Sequence, residues 1–277
     1  MLATRGRTIA EQALTGAAAL WLLAALLGQW AFFYYIAAFY GTSTLSGELE
    51  VWNRLQVFGR TPYVPGDSAG NIAFAAHALG AGIVALGGAL QLIPWLRARA
   101  PTLHRWNGRV FLFTVVALSL SGFYLVWGRG TSPSRVEGLS TSFNGVLILL
   151  FAALAYRTAR ARDFAAHRRW ALRLYLVSNA QWFLRVGVFG YFAGNQMLGN
   201  AVSFGGPFLK FWTFGCYVVP LLVLELYLRA QRSTSSFARI ALASGLLLLT
   251  LWMALGIAMF GMFSQRIVSG APLTLPG

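Results

Sequence analysis

Seven apolar runs follow one another along this chain, at about residues 14–40, 71–96, 107–128, 139–157, 170–192, 208–229 and 238–264. Each is close to the roughly 20 residues that a helix needs to cross bilayer hydrocarbon. In lipid a lone strand would leave its backbone groups unpaired, so each run must be a helix. Composition agrees. Of 277 residues, 57% are hydrophobic and 10% charged, against about 25% charged in soluble domains. The expectation is an all-α polytopic membrane bundle of seven transmembrane helices, one domain over 1–277. The first run is too long for the apolar core of a cleaved leader.

The net charge of +15 would suit nucleic acid, but the basic residues flank apolar runs instead of gathering on a soluble domain. They read as topology charge, with the lipid bilayer and not nucleic acid as partner. With the N-terminus inside, the inner ends hold Arg5, Arg7, Arg97, Arg99, Arg105, Arg109, Arg157, Arg160, Arg162, Arg168, Arg169, Arg173, Arg229, Arg232 and Arg239. The outer segments hold Arg54, Arg60, Arg129, Arg135, Lys210 and Arg266. That is 15 against 6, with Arg185 left inside a run. The bias predicts a cytoplasmic N-terminus and an extracytoplasmic C-terminus.

One stretch occurs twice. Arg97, Arg99, His104 and Arg105 recur at the same spacing as Arg160, Arg162, His167 and Arg168, and Trp106 and Arg109 recur as Trp170 and Arg173, each one place later. The spacing predicts two related helical hairpins, helices two–three and four–five, within a core of about 71–192. In the outer loop 41–70, Val51, Trp52, Leu55 and Phe58 recur at helical spacing and predict a short helix lying in the interface. Residues 193–207 read as an outer loop, and 265–277 carry no periodicity.

Two polar stripes stand out inside the membrane. His77, Gly80, Gly87 and Gln91 share one face of the second helix, which suits either close packing against a neighbour or a flat ligand such as haem or quinone. Ser178, Gln181 and Arg185 share a face of the fifth. An arginine there is costly and seeks a partner or a wet cavity. By helical rise, His77 and Arg185 both lie about 10 Å below the outer surface, so they are expected to face one cavity, with neutral His77 supplying an acceptor to Arg185. These four, His77, Gln91, Gln181 and Arg185, are the candidate ligand-binding residues.

At the inner face, Arg97, Arg99, His104, Arg105, Arg109, His167, Arg168 and Arg173 form a candidate anion-binding set, suited to lipid headgroups or to a defined phosphate or carboxylate. His104 and His167 could hold one b-type haem between them. With only Asp163 as a carboxylate in either copy, they are a poor metal-ligand set otherwise. No nucleotide-binding loop, Ser/His/Asp set or catalytic carboxylate pair is found. Cys216 is the single cysteine, so no intrachain disulfide forms.

His77 with its following glycines, Gln91-Leu-Ile-Pro-Trp-Leu-Arg97, Pro101-Thr-Leu-His104-Arg105-Trp106-Asn-Gly108-Arg109 and His167-Arg168-Arg169-Trp170-Ala-Leu-Arg173 together resemble the bacterial membrane proteins of domain-of-unknown-function family 2306, over about residues 70–190. The family usually has Met after the second tryptophan, where this chain has Ala171. The resemblance implies a multi-helix inner-membrane protein and no assigned activity. Three function classes follow: a non-catalytic accessory subunit beside other membrane subunits, or binder of an anionic lipid-like ligand; an electron-transfer protein holding one haem b or a quinone; and a small-solute transporter. Reporter fusions at residues 100, 165 and 235 are expected to report cytoplasm; a periplasmic signal from any of them would overturn the seven-helix arrangement.

Overall fold

The computed structural model describes residues 8–58, 61–200 and 206–273. Arg5, Arg7, Arg60, part of the expected 193–207 loop and the last four residues lie outside the described residues. Among the described residues the chain is helical, with no strand. The elements are α1 (Ile9–Ile36), α2 (Thr42–Ser46), α3 (Ser68–Gln91), α4 (Pro94–Arg99), α5 (Pro101–Phe123), α6 (Arg135–Arg160), α7 (Phe164–Ser178), α8 (Ala180–Met197), α9 (Pro207–Arg232) and α10 (Ser236–Ser269). A π-helical turn over Ala37–Gly41 joins α1 to α2, and another, Tyr124–Gly128, ends α5.

Local sequence sets these boundaries. Thr8 and Glu11 form a reciprocal capping box at the start of α1, which satisfies two otherwise orphaned N–H groups. Asp67, Ser134, Asp163 and Ser235 cap α3, α6, α7 and α10 through side-chain oxygens. Pro94, Pro101 and Pro207 open α4, α5 and α9, where their missing N–H costs nothing. The starts at Pro101 and Asp163 place His104 and His167 in the first turns of α5 and α7.

Among the described residues, six continuous helical stretches are long and apolar enough to cross a membrane: Ile9–Ser46, Ser68–Gln91, Pro101–Gly128, Arg135–Arg160, Pro207–Arg232 and Ser236–Ser269. This differs from the seven expected from the sequence. The run read as 170–192 is two helices, α7 and α8, broken at Asn179. Arg168, Arg169 and Arg173 load the first half, and Gln181, Arg185, Asn195 and Gln196 the second, so neither half is an apolar span alone.

Helix directions follow from paired residues. Gly88 packs on Phe111, and Gly80 on Leu118, so α3 and α5 are antiparallel. Asn144 reaches Val177 and Ala155 reaches His167, so α6 and α7 are also antiparallel. α1 and α10 run in the same direction. Glu11 pairs with Arg239 at 2.8 Å, Gly28 meets Ile257 and the Phe32 and Phe260 rings lie 5.8 Å apart.

The segment expected to form a short helix does so, as a 3₁₀ helix, Leu49–Phe58, and its Trp52 is fully buried against the rest of the protein. The indole donates to Ser43 Oγ at 2.7 Å and packs on Tyr40 and Phe74. Arg54 in the same turn donates to the carbonyls of Ile267 and Val268, at 2.9 and 3.3 Å. Those are end carbonyls of α10, which continues past the expected stop at 264 to Ser269 and closes on Gly270 at φ 73°.

α8 crosses α10 closely. A β-carbon at Gly256 would collide with the Val186 backbone carbonyl, so only glycine fits. Gly256→Ala is expected to lower thermal stability in detergent by about 1–3 kcal/mol, the range for overpacking a tight site. Gly245→Ala on the same helix, with nothing within 4 Å of its added carbon, is expected to change it by less than about 0.5 kcal/mol.

Candidate functional site

The break between α7 and α8 is sutured by side chains. Asn179 Nδ2 donates to the Tyr175 carbonyl at 2.8 Å, Ser178 Oγ to the Leu174 carbonyl at 2.7 Å, and Asn144 Nδ2, from α6, to the Val177 carbonyl at 3.1 Å. The Asn144 bond serves a carbonyl whose helical donor lies beyond the break, while the Tyr175 carbonyl keeps its regular bond from the Asn179 N–H as well, at 3.2 Å. Beyond the break, Trp212 Nε1 of α9 donates to the Phe183 carbonyl at 3.2 Å.

A cavity of about 760 Å³ opens beside this break. Its walls come from α1, α3, α5, α6, α8 and α10. Phe32, Tyr35, Phe74 and Trp182 supply aromatic surface, and His77, Ser119, Asn144, Ser178, Gln181 and Arg185 supply polar groups. Pro62, Ser132 and Glu137 line the end away from the twin Arg/His stretches. A pocket of this size, mostly apolar with a few convergent polar groups, has the form of a ligand site.

His77 and Arg185 line this one cavity, as do Ser178 and Gln181. The contact expected between the first two is replaced. Arg185 Nη1 donates to the Gln181 carbonyl at 2.7 Å, and the guanidinium lies 5.2 Å from the Phe32 ring centroid. His77 Nδ1 lies 2.9 Å from Ser121 Oγ. Ser121 directs its own hydrogen to the Leu118 carbonyl, at 3.2 Å, so its oxygen accepts from His77 Nδ1–H. In the neutral ring Nε2 is then an acceptor. Gln91 is not brought to the cavity. Its Nε2 donates to the His104 carbonyl at 2.9 Å and ties α3 to α5, as Asn107 Nδ2 does to the Gly87 carbonyl at 2.8 Å.

The arginine-rich stretches lie together at the other end. Arg97, Arg99, Arg105, Arg109 and Arg168 are exposed. Arg97, Arg105 and His167 are close enough to His104 to act on it electrostatically. His167 Nδ1 donates to the Ala155 carbonyl at 2.9 Å, while His104 Nδ1 is buried without a partner. The two tryptophan–arginine pairs adopt the same stack: Arg109 lies 4.8 Å from the Trp106 centroid and Arg173 4.7 Å from that of Trp170. Arg173 is further engaged by Glu225, at 2.6 Å. Asp163 gives one oxygen to the Ala166 N–H. Among the described residues, no three His, Cys, Asp or Glu side chains gather as a metal site.

Sequence reasoning missed Asn144, Asn179, Ser119 and Trp182. The first two carried a readable signal, since an asparagine inside an apolar run must spend its amide on something.

Over residues 74–228 the sequence matches the family described as "Predicted membrane protein (DUF2306)". The chain belongs to this family. The match spans α3 to α9, and so includes the break and most of the cavity wall. No curated protein and no solved structure matches the chain.

At the cavity rim, Arg129 joins α5 to the start of α3. Its Nε donates to Asp67 Oδ2 at 2.7 Å, its Nη1 to the Pro62 carbonyl at 2.9 Å, and its Nη2 to Asn71. The Gly70 N–H, and then Arg129, hold the Asp67 carboxyl below the usual carboxylate range. The stabilisation is complete above the ordinary value of about 4 and is lost as pH falls through the lower folded value. Thermal stability is therefore expected to fall below about pH 4, and Asp67→Asn to flatten that acid limb while lowering stability at neutral pH. Melting curves of both proteins across this range check the sign.

Proposed function

We propose that this protein holds an amphipathic ligand with an anionic head, a lipid-like carboxylate or phosphate, in the cavity, and that it does so without catalysing a reaction. The observation that carries this reading is the setting of Arg185. Its described contacts are one backbone carbonyl and one aromatic ring, and neither is a countercharge. A guanidinium offers five N–H donors in a planar fork suited to carboxylate and phosphate, and leaving it in hydrocarbon would cost about 2.5–3.5 kcal/mol. A bound anion offsets that cost, with the ligand's apolar body against Phe32, Phe74 and Trp182. His77 Nε2 is placed to accept from a hydroxyl on the same head.

In this reading the chain crosses a bacterial inner membrane seven times. α7 and α8 together make the fifth crossing, and the arginine-rich end and the N-terminus face the cytoplasm. The shared direction of α1 and α10 supports it, because successive crossings alternate and only an odd count returns to the first direction. The 15 to 6 distribution of basic residues supports the orientation. The matched Trp106–Arg109 and Trp170–Arg173 stacks support reading α3–α5 and α6–α7 as copies of one hairpin, with arginines placed for anionic headgroups.

The test is binding of a fluorescent long-chain fatty acid and of its methyl ester to the purified protein. The acid is expected to bind at least about tenfold more tightly than the ester, the effect of roughly 1.4 kcal/mol. Arg185→Leu is expected to abolish that preference, and Arg185→Lys to restore only part of it. Equal affinity for acid and ester in the unmodified protein would overturn the reading. The same preparation is expected to lack a Soret band, and its presence would favour haem held between His104 and His167.

A further inference from the structure

Behind the cavity, where α1 passes the α7–α8 break, three polar side chains are buried without partners. Gln29 of α1 is fully buried, and neither of its amide atoms has a hydrogen bond. Tyr175 and Trp182 flank the break and are 3% and 2% exposed. The Tyr175 hydroxyl and the Trp182 indole N–H are unpaired as well. Tyr175 packs on Gly88, and its hydroxyl lies close enough to the Gln29 amide to interact with it, but outside good hydrogen-bond geometry. Trp182 lines the cavity and presses against Gly28, next to Gln29. Of the three, only Trp182 is part of the cavity lining.

Buried polar groups in folded proteins are nearly always satisfied, by protein or by ordered water. Here three such atoms, two on Gln29 and one on Tyr175, face one another, and the indole of Trp182, with a fourth, packs against the adjoining Gly28, in a medium that offers no bulk water. Their chemistry selects the occupant. Gln29 brings two N–H donors and an acceptor, Tyr175 one of each, and Trp182 a donor. The set carries no charge, so it does not favour an anion. It holds two oxygens, too few to coordinate a hard cation. What fits is a small neutral molecule that both donates and accepts, making two to four hydrogen bonds, and that is water. We propose that Gln29, Tyr175 and Trp182 form an internal water-binding site at the helix break, separate from the ligand cavity. The site does not rest on the ligand reading above. It gives the break a hydrated interior at a depth where the surrounding lipid is dry.

Hydroxyl radicals generated in place by X-ray radiolysis modify buried side chains that touch bound water and spare those that do not. Tyr175 is expected to be modified at a rate within about threefold of exposed Tyr34, and at least about tenfold faster than buried Phe39. Gln29→Leu is expected to reduce Tyr175 modification at least about fivefold. Should that variant fail to fold, the rates in the unmodified protein decide alone. Tyr175 modified no faster than Phe39 would overturn the site, as would an unchanged rate in a folded Gln29→Leu protein. Arg185→Leu is expected to leave the Tyr175 rate unchanged. A fall there would assign the water to the ligand cavity and overturn a separate site.

Discussion

Hydrocarbon offers a peptide group no hydrogen bond, and the structure is organised by that constraint where it is hardest to meet, at the break after Ser178. Interrupting a helix frees carbonyls that lipid cannot satisfy. Asn144 answers from α6 at the Val177 carbonyl, while Ser178 and Asn179 fold back on the Leu174 and Tyr175 carbonyls of the last turn. The same geometry fixes what lies around it. α6 must stay close enough for Asn144 to reach across, and the turn after the break sets Gln181 and Arg185 on the cavity wall. The cavity is thus a product of the broken helix, with the sutures as its polar floor.

The two ends of the bundle are held by different means. At one end, Arg129, Asp67 and Asn71 cross-link loop to helix in a partly buried network, and Arg54 clamps the last carbonyls of α10. At the other, arginines stack on tryptophans and reach outward, with Arg173 and Arg239 engaged by Glu225 and Glu11. The first arrangement rigidifies the rim of the cavity. The second leaves cationic surface where headgroups lie in the proposed orientation.

Much of this was legible in the residues. The apolar runs gave the helical class because a bilayer permits little else, and helical rise placed His77 and Arg185 on the wall of one cavity. Other features could not be read. Hydropathy averages over a window, so it passed through Ser178-Asn179 and returned one helix where there are two. The spacing around Trp52 gives a face but not its direction, and only Tyr40, Phe74 and Ser43, distant in sequence, show that the face points inward. Gln91 and His77 share a stripe, yet Gln91 is spent on the His104 carbonyl, a pairing set by how α5 begins at Pro101.

The parallel packing of the first and last long helices also bears on biogenesis. α1 leaves the ribosome carrying Glu11 and Gln29, and its broadest packing partner is α10, which ends at Ser269. Synthesis at about 5–20 residues per second puts roughly 11 to 45 seconds between the completion of Ser46 and that of Ser269. For that interval the inward face of α1 has lipid, or an insertion factor, in place of α10. Chains truncated before α10 would keep that face bare, and membrane quality control would meet them as unassembled helices whose Glu11 lacks Arg239.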